Sequence, residues 1–145
     1  MADLKPIRVF VDSDVIISSL ISTSGAAFAL LHDMQSVELY VSNSSILELE
    51  KVVKRLHLNS VKLHEAINTR LASIEIDTTY EEVRSRFAEY VRDIDDAHIV
   101  AGAKEAQATF LVSYNIRHFE AERLEQNFQI ILLTPGLFLQ YLRSL

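Results

Sequence analysis

Short apolar runs alternate with longer amphipathic stretches along this chain, a pattern that predicts strand and helix in turn. The β-branched run "IRVFV" (7–11) reads as a buried first strand ending at Asp12. Residues 14–20 read as helical. A Ser/Thr/Gly break at 22–25 separates them from a second helix over 26–34, with Phe28, Leu31 and Met34 on its apolar face. "VELYV" (37–41) is a strand, and the serines and asparagine after it suit the N-cap of a helix through "ILELEKVVKRL".

Residues 60–73 are expected to form a further helix with Val61, His64, Ile67 and Leu71 in register. A short strand at 74–76 and a helix over 80–91 follow. Asp93 and Asp95 are good caps for a helix over 95–106, whose small-residue face (Ala97, Ala101, Gly102) suits close packing and explains a glycine there despite its propensity cost. "TFLVS" and "QIILL" are strands. Thr134-Pro135 opens a last helix with Phe138, Tyr141 and Leu142 apolar, proline fitting the first helical position. This alternation implies an α/β protein with a mostly parallel sheet. There is no internal repeat, low-complexity segment or linker, so residues 1–145 are expected to form one domain.

Composition changes this picture little. The 145 residues are 49% hydrophobic and 23% charged, ordinary for a globular domain with one substantial core. No apolar run approaches the roughly 20 residues needed to span a bilayer. The start "MADLKPIRVFVDSD" does not read as a signal peptide, its apolar stretch being short and running into a charged motif. A cytoplasmic protein without a membrane partner is the expectation. The absence of cysteine excludes disulfides and thiolate metal sites. A net charge of −6 does not point to a generic nucleic-acid binder, although an acidic metal site accounts for much of such an excess.

The candidate chemistry lies in four acidic or amide motifs beside the apolar runs: Asp12 and Asp14 in "VFVDSDVI", Glu48 in "ILELEKVV", Asp93, Asp95 and Asp96 in "VRDIDDAHIV", and Asn115 in "FLVSYNIRHF". Oxygen ligands alone suit a hard cation such as Mg²⁺ or Mn²⁺. In open α/β sheets, ligand sites lie beyond the carboxyl ends of the strands. Asp12 follows the first strand and Asn115 follows "TFLVS", so both are expected on one rim. One or two such cations activate water and clamp a phosphate, so a phosphodiester hydrolase is the leading class. Within the third helix, Glu48 and Glu50 are separated by about 200°; Glu48 borders the core side and Glu50 points to solvent.

These segments, with the ending "IILLTPGLFLQYL", resemble PIN-domain nucleases in order and spacing, and most closely the VapC-like toxins of toxin–antitoxin pairs. The resemblance covers nearly the whole chain, with residues 80–91 the least characteristic. It implies a compact three-layer α/β/α sandwich with a central mostly parallel sheet. The implied activity is a Mg²⁺- or Mn²⁺-dependent endoribonuclease acting on single-stranded RNA, with a small antitoxin protein as partner and a homodimeric assembly. By position, Asp12, Glu48 and Asp96 are the implied metal-binding and catalytic acids. Asn115 stands where the family often has a fourth aspartate, which lowers the negative charge of the site. Ser13 and Asp14 stand where the family often has Thr and Asn. Asp14 either adds a carboxylate or caps the next helix. Ser113 is implied to orient a ligand or phosphate.

Each residue also has a structural reading. Asp93 serves as a helix cap or supports the site from behind. Arg117 contacts substrate phosphate or pairs with a nearby acid. His98 packs on the sheet or reaches the site, the structural role being the one expected, and His118 is expected to belong to a loop or helix start rather than to act as a general base. Lys51, Lys54 and Arg55 form a solvated face. Two competing functions remain open from the sequence: a non-catalytic PIN-like module that binds RNA or protein, and a haloacid-dehalogenase-type phosphatase, because "DSDVI" matches that nucleophile motif superficially.

Overall fold

The computed structural model describes residues 5–145. The first four residues, where the N-terminal segment read as lacking a signal peptide begins, lie outside the described residues. Five strands form one sheet: β1 (Ile7–Val11), β2 (Val37–Ser42), β3 (Leu71–Ile74), β4 (Phe110–Val112) and β5 (Ile131–Leu133). Their order is β3-β2-β1-β4-β5, and every neighbouring pair is parallel. The sheet is thus wholly parallel rather than mostly so.

Among the described residues eight α-helices accompany the strands, the last following β5: α1 (Ser13–Ile21), α2 (Ala26–Asp33), α3 (Asn43–Arg55), α4 (Ser60–Thr69), α5 (Tyr80–Phe87), α6 (Ala97–Glu105), α7 (Ala121–Phe128) and α8 (Pro135–Arg143). Alternation along the strands sends side chains to two helical layers. Val9, Val11, Val37, Leu39, Phe110 and Val112 face one core, closed by α1, α2, α3, α4 and α8. Phe10 and Leu111 face the other, closed by α5, α6 and α7. The result is an α/β/α sandwich.

Gly102 shows why α6 carries small residues. A Cβ there would lie 2.5 Å from Phe10 Cζ, so only glycine lets the helix lie against the central strand. Thr134 caps α8 by accepting from Leu137 N at 3.2 Å, with Pro135 in the first helical position.

Several expectations shift. The helix read over 60–73 stops at Thr69, because Leu71 pairs with Leu39 and begins β3. Its buried residues are Leu63 and Ala66, whereas Val61 is exposed, so the inward face is rotated from the one read in the sequence. The strand placed at 74–76 lies instead at Leu71–Ile74. The helix over 80–91 breaks into α5 and a 3-10 turn at Ala88–Tyr90. The one over 95–106 is preceded by a 3-10 turn at Ile94–Asp96, with Asp93 as its cap and Asp95 turned elsewhere. The helix α7 was not expected from the sequence: its apolar repeat, Leu124 and Phe128 one turn apart against the α5–α6 core, is confined to eight residues. It ends at Gln129, in the left-handed region at φ 55°.

Candidate functional site

The strand order reverses at β1. From there the chain builds outward through β2 and β3, then crosses to β4 and β5 on the other side. In a parallel sheet this switch point leaves a crevice at the carboxyl ends of the two diverging strands. Asp12 directly follows β1 and Ser113 directly follows β4. The Asp12 amide donates to the Val112 carbonyl at 3.0 Å, so the two strand ends are held together.

Asp12 has extended backbone angles and caps α1, its Oδ1 accepting from Ser13 N at 2.7 Å. Its Oδ2 accepts from the fully buried Ser113 hydroxyl at 2.8 Å. The same hydroxyl lies 3.4 Å from Asp14 Oδ2 and accepts from Asn115 N at 2.9 Å. Tyr114 N donates to Asp14 Oδ2 at 3.0 Å. Asp14 is therefore more than a helix-start residue: it is tied to the β4 end through Ser113 and Tyr114. Its other oxygen, Oδ1, is buried without a hydrogen-bond partner.

This crowding shows in the proton affinities. Burial, then the neighbouring charge of Asp14, with Asp96 adding to it, pushes Asp12 up to about 7. Burial also raises Asp14 and Asp96. For Asp96 the positive influence of His118 and His98 opposes the rise, and Asp93 adds to it. Asp96, at the end of its 3-10 turn, is thus close enough to Asp12 for the two charges to interact.

Two histidines hold the remaining acids. His118 Nδ1 lies 3.2 Å from Asp96 Oδ2. The buried His98, in the first turn of α6, places Nε2 3.1 Å from Glu48 Oε2 of α3, leaving Nδ1 without a partner. Neither partner is legible in the sequence, where His98 reads as a structural residue that could reach the site and His118 as a loop or helix-start residue. The only available signal was the burial expected for position 98 on the sheet-facing side of its helix. Glu48 thus pairs with His98 through a side chain that is still 49% exposed, and Glu50 is exposed as well, so the two glutamates differ in partner rather than in burial.

The other candidates lie at the margin. Asp93 caps the 3-10 turn, accepting from Asp95 N at 3.0 Å. Asn115 is exposed, starts the turn Ile116–His118, and reaches the cluster through its main-chain N–H. Arg117 is exposed on that turn. Among the described residues, no three His, Cys, Asp or Glu side chains are arranged so that they could hold a metal ion. Glu48 and Asp96 turn towards histidines instead of a common centre. The donor chemistry nevertheless fits a hard cation, because buried carboxylate oxygens crowd together and one of them, Asp14 Oδ1, is unpartnered.

A parallel sandwich with acids gathered at its switch point defines a class of α/β proteins that bind a ligand at the strand ends. Comparison with protein families makes it specific: the PIN domain matches residues 8–117, and the chain belongs to that family. The Asp12-Ser13-Asp14 motif is accordingly part of a PIN domain, not of a haloacid-dehalogenase-type phosphatase. A search of curated proteins gives no match.

Among solved structures, the fold is similar to that in the crystal structure of VapBC2 from Rickettsia felis bound to a promoter DNA fragment. That match has a TM-score of 0.63 and 15% identity, covering 87% of this chain and 97% of the other. It is also similar to Mycobacterium tuberculosis VapC20, described as a toxin that cleaves the sarcin-ricin loop. There the TM-score is 0.53 and the identity 15%, with coverage of 83% and 95%. At this identity the likeness is one of fold. Among the described residues no single helix is long and apolar enough to cross a membrane.

Proposed function

We propose that this PIN domain is a metal-dependent endoribonuclease that cleaves single-stranded RNA, and that it is the toxin of a toxin–antitoxin pair. The observation that carries the reading is the cluster of Asp12, Asp14 and Asp96 at the switch point, with Asp12 raised to about 7 by burial and like charge. Carboxylates that repel one another in a buried site are poised to accept a cation. Mg²⁺ or Mn²⁺ is the proposed ion; when bound, it would lower the pKa of a coordinated water and stabilise charge on the phosphate. Mg²⁺ keeps several waters, so one or two carboxylates suffice to hold it.

The chain's own residues would do the rest. Asp12 and Asp14, fixed by Ser113, present adjacent oxygens at the crevice. Asp96 completes the acidic wall, and Glu48 reaches it from α3 with His98 orienting the carboxylate. His118 holds Asp96 in place from the turn that also carries Arg117, which faces solvent where a phosphate would approach. Asn115 supplies a neutral amide at the rim, so affinity for a second ion is expected to be weak. A cytoplasmic homodimer neutralised by a small antitoxin completes the proposal, supported by the shared fold with VapC toxins.

One observation favours a second reading. Both Glu48 and Asp96 are already engaged by histidine, as they would be in a module that binds RNA or protein without cleaving it. Cleavage of an unstructured RNA by wild type and Asp12→Asn, each with Mg²⁺ and with EDTA, decides between them. The nuclease reading expects magnesium-dependent cleavage that falls in the variant by at least about a hundredfold, beyond the 10–100-fold typical of losing a ligand's supporting partner. Equal activity in the two proteins would overturn it.

A further inference from the structure

Two exposed tyrosines stand at the margins of the acidic cluster, and neither belongs to the core or to the acid network through its ring. Tyr80, the first residue of α5, is 54% exposed. The Arg84 guanidinium covers one face of its ring at 5.1 Å from the centroid. Its hydroxyl lies 3.4 Å from Asp95 Oδ1, which also binds Arg84 at 3.2 Å. Asp95 is the immediate neighbour of Asp96. Tyr80 is therefore held by two groups that also bind each other, Arg84 and Asp95, and about half of it stays exposed beside the turn that carries Asp96. Tyr114 is 44% exposed and sits between Ser113 and Asn115, its main-chain N–H bonded to Asp14. Its backbone is fixed by the site, while its ring is left in water.

We propose that Tyr80, beside the turn that carries Asp96, and Tyr114, on the segment bonded to Asp14, are stacking platforms for unpaired bases of the RNA. This rests on the nuclease reading and adds what that reading lacks, a physical reason for selecting single strands. The chain is acidic overall, so it cannot rely on a broad basic surface for affinity. Stacking supplies affinity without net charge, and every base offers a π-face. Arg84 beneath Tyr80 makes that ring a pre-formed platform, ordering it before any base arrives. In a duplex the base faces are already stacked on one another, so neither tyrosine would gain a partner. Ordinary solvated tyrosines would show none of this discrimination.

The test uses the full chain in EDTA, so that binding is read without cleavage. Fluorescence anisotropy compares a labelled oligoadenylate with an abasic oligomer of equal length, for wild type, Tyr80→Ala, Tyr80→Phe, Tyr114→Ala and Tyr114→Phe. Wild type is expected to prefer the oligoadenylate. Each alanine variant is expected to lose about tenfold of that affinity, the order of a lost base–aromatic stack, with abasic binding unchanged and the phenylalanine variants close to wild type. Thermal melting of each variant confirms folding. Alanine variants that bind oligoadenylate as wild type does would overturn the stacking proposal and leave the nuclease reading standing. So would an equal loss on both oligomers, or tight binding of a protein partner at these rings in place of RNA. Wild type that neither binds nor cleaves RNA would overturn the nuclease reading and the stacking proposal together.

Discussion

Asp12 is half-buried beside Asp14, with Asp96 near enough to add to its charge, and its raised proton affinity bears directly on stability. Its pKa is about 7 in the fold against an ordinary value of 3.8, so between those limits the folded state holds a proton that the unfolded chain has released. Stability from this group is therefore greatest at low pH and declines as pH rises towards about 7, above which it is flat. Asp14 and Asp96, both raised, act in the same direction. Thermal melting in EDTA should show the wild type more stable at pH 5.5 than at pH 8, with the difference reduced in Asp12→Asn. A wild-type protein that gains stability across that interval would contradict the burial assigned to these acids. The sequence made Asp12 and Asp96 legible because each sits at the boundary of a strongly patterned element. It left the His98–Glu48 and His118–Asp96 pairs unread, since those contacts depend on how α3, α6 and the turn after β4 pack together.

Among the elements, α6 carries the closest fit. Its glycine meets Phe10 of the central strand, and Gly102→Ala would force a methyl group into the 2.5 Å gap. Overpacking of this kind costs about 1–3 kcal/mol, against which the helix-propensity gain of about 1 kcal/mol is a partial offset. We expect a net destabilisation in urea unfolding, and a more stable variant would contradict the packing. The strong elements β1, α1, β2, α3 and α6 followed from periodicity, because their apolar residues repeat with one clear spacing. The α4–β3 boundary did not. Val61, His64, Ile67 and Leu71 keep helical spacing, yet Leu71 gains more by pairing with β2 than by continuing the helix. Leu63 and Ala66 then become the buried face, a choice made by the sheet and invisible within the segment itself. Helix α7 escaped for a different reason: its apolar repeat, Leu124 followed one turn later by Phe128, is only eight residues long and too short to stand out.

At the scale of the whole molecule, function follows from the strand order. Because β1 lies between β2 and β4, the chain leaves β1 and β4 into different connections, and Asp12 and Asp14 after β1 meet Ser113 and Tyr114 after β4 at one rim. The parallel α/β layering was readable from the alternation of elements. The order of the strands was not, since it is set by crossovers that leave no local mark in sequence. The account's central proposal is that Asp12, Asp14 and Asp96, with Glu48 reached through His98, form one cation site. Calorimetric titration of Mn²⁺ into the wild type, Asp12→Asn, Asp96→Asn and Glu48→Gln tests it most directly. The account predicts saturable binding to the wild type, lost or weakened at least about tenfold in each variant. A wild type that takes up no Mn²⁺, or variants that bind it as tightly as the wild type, would contradict it.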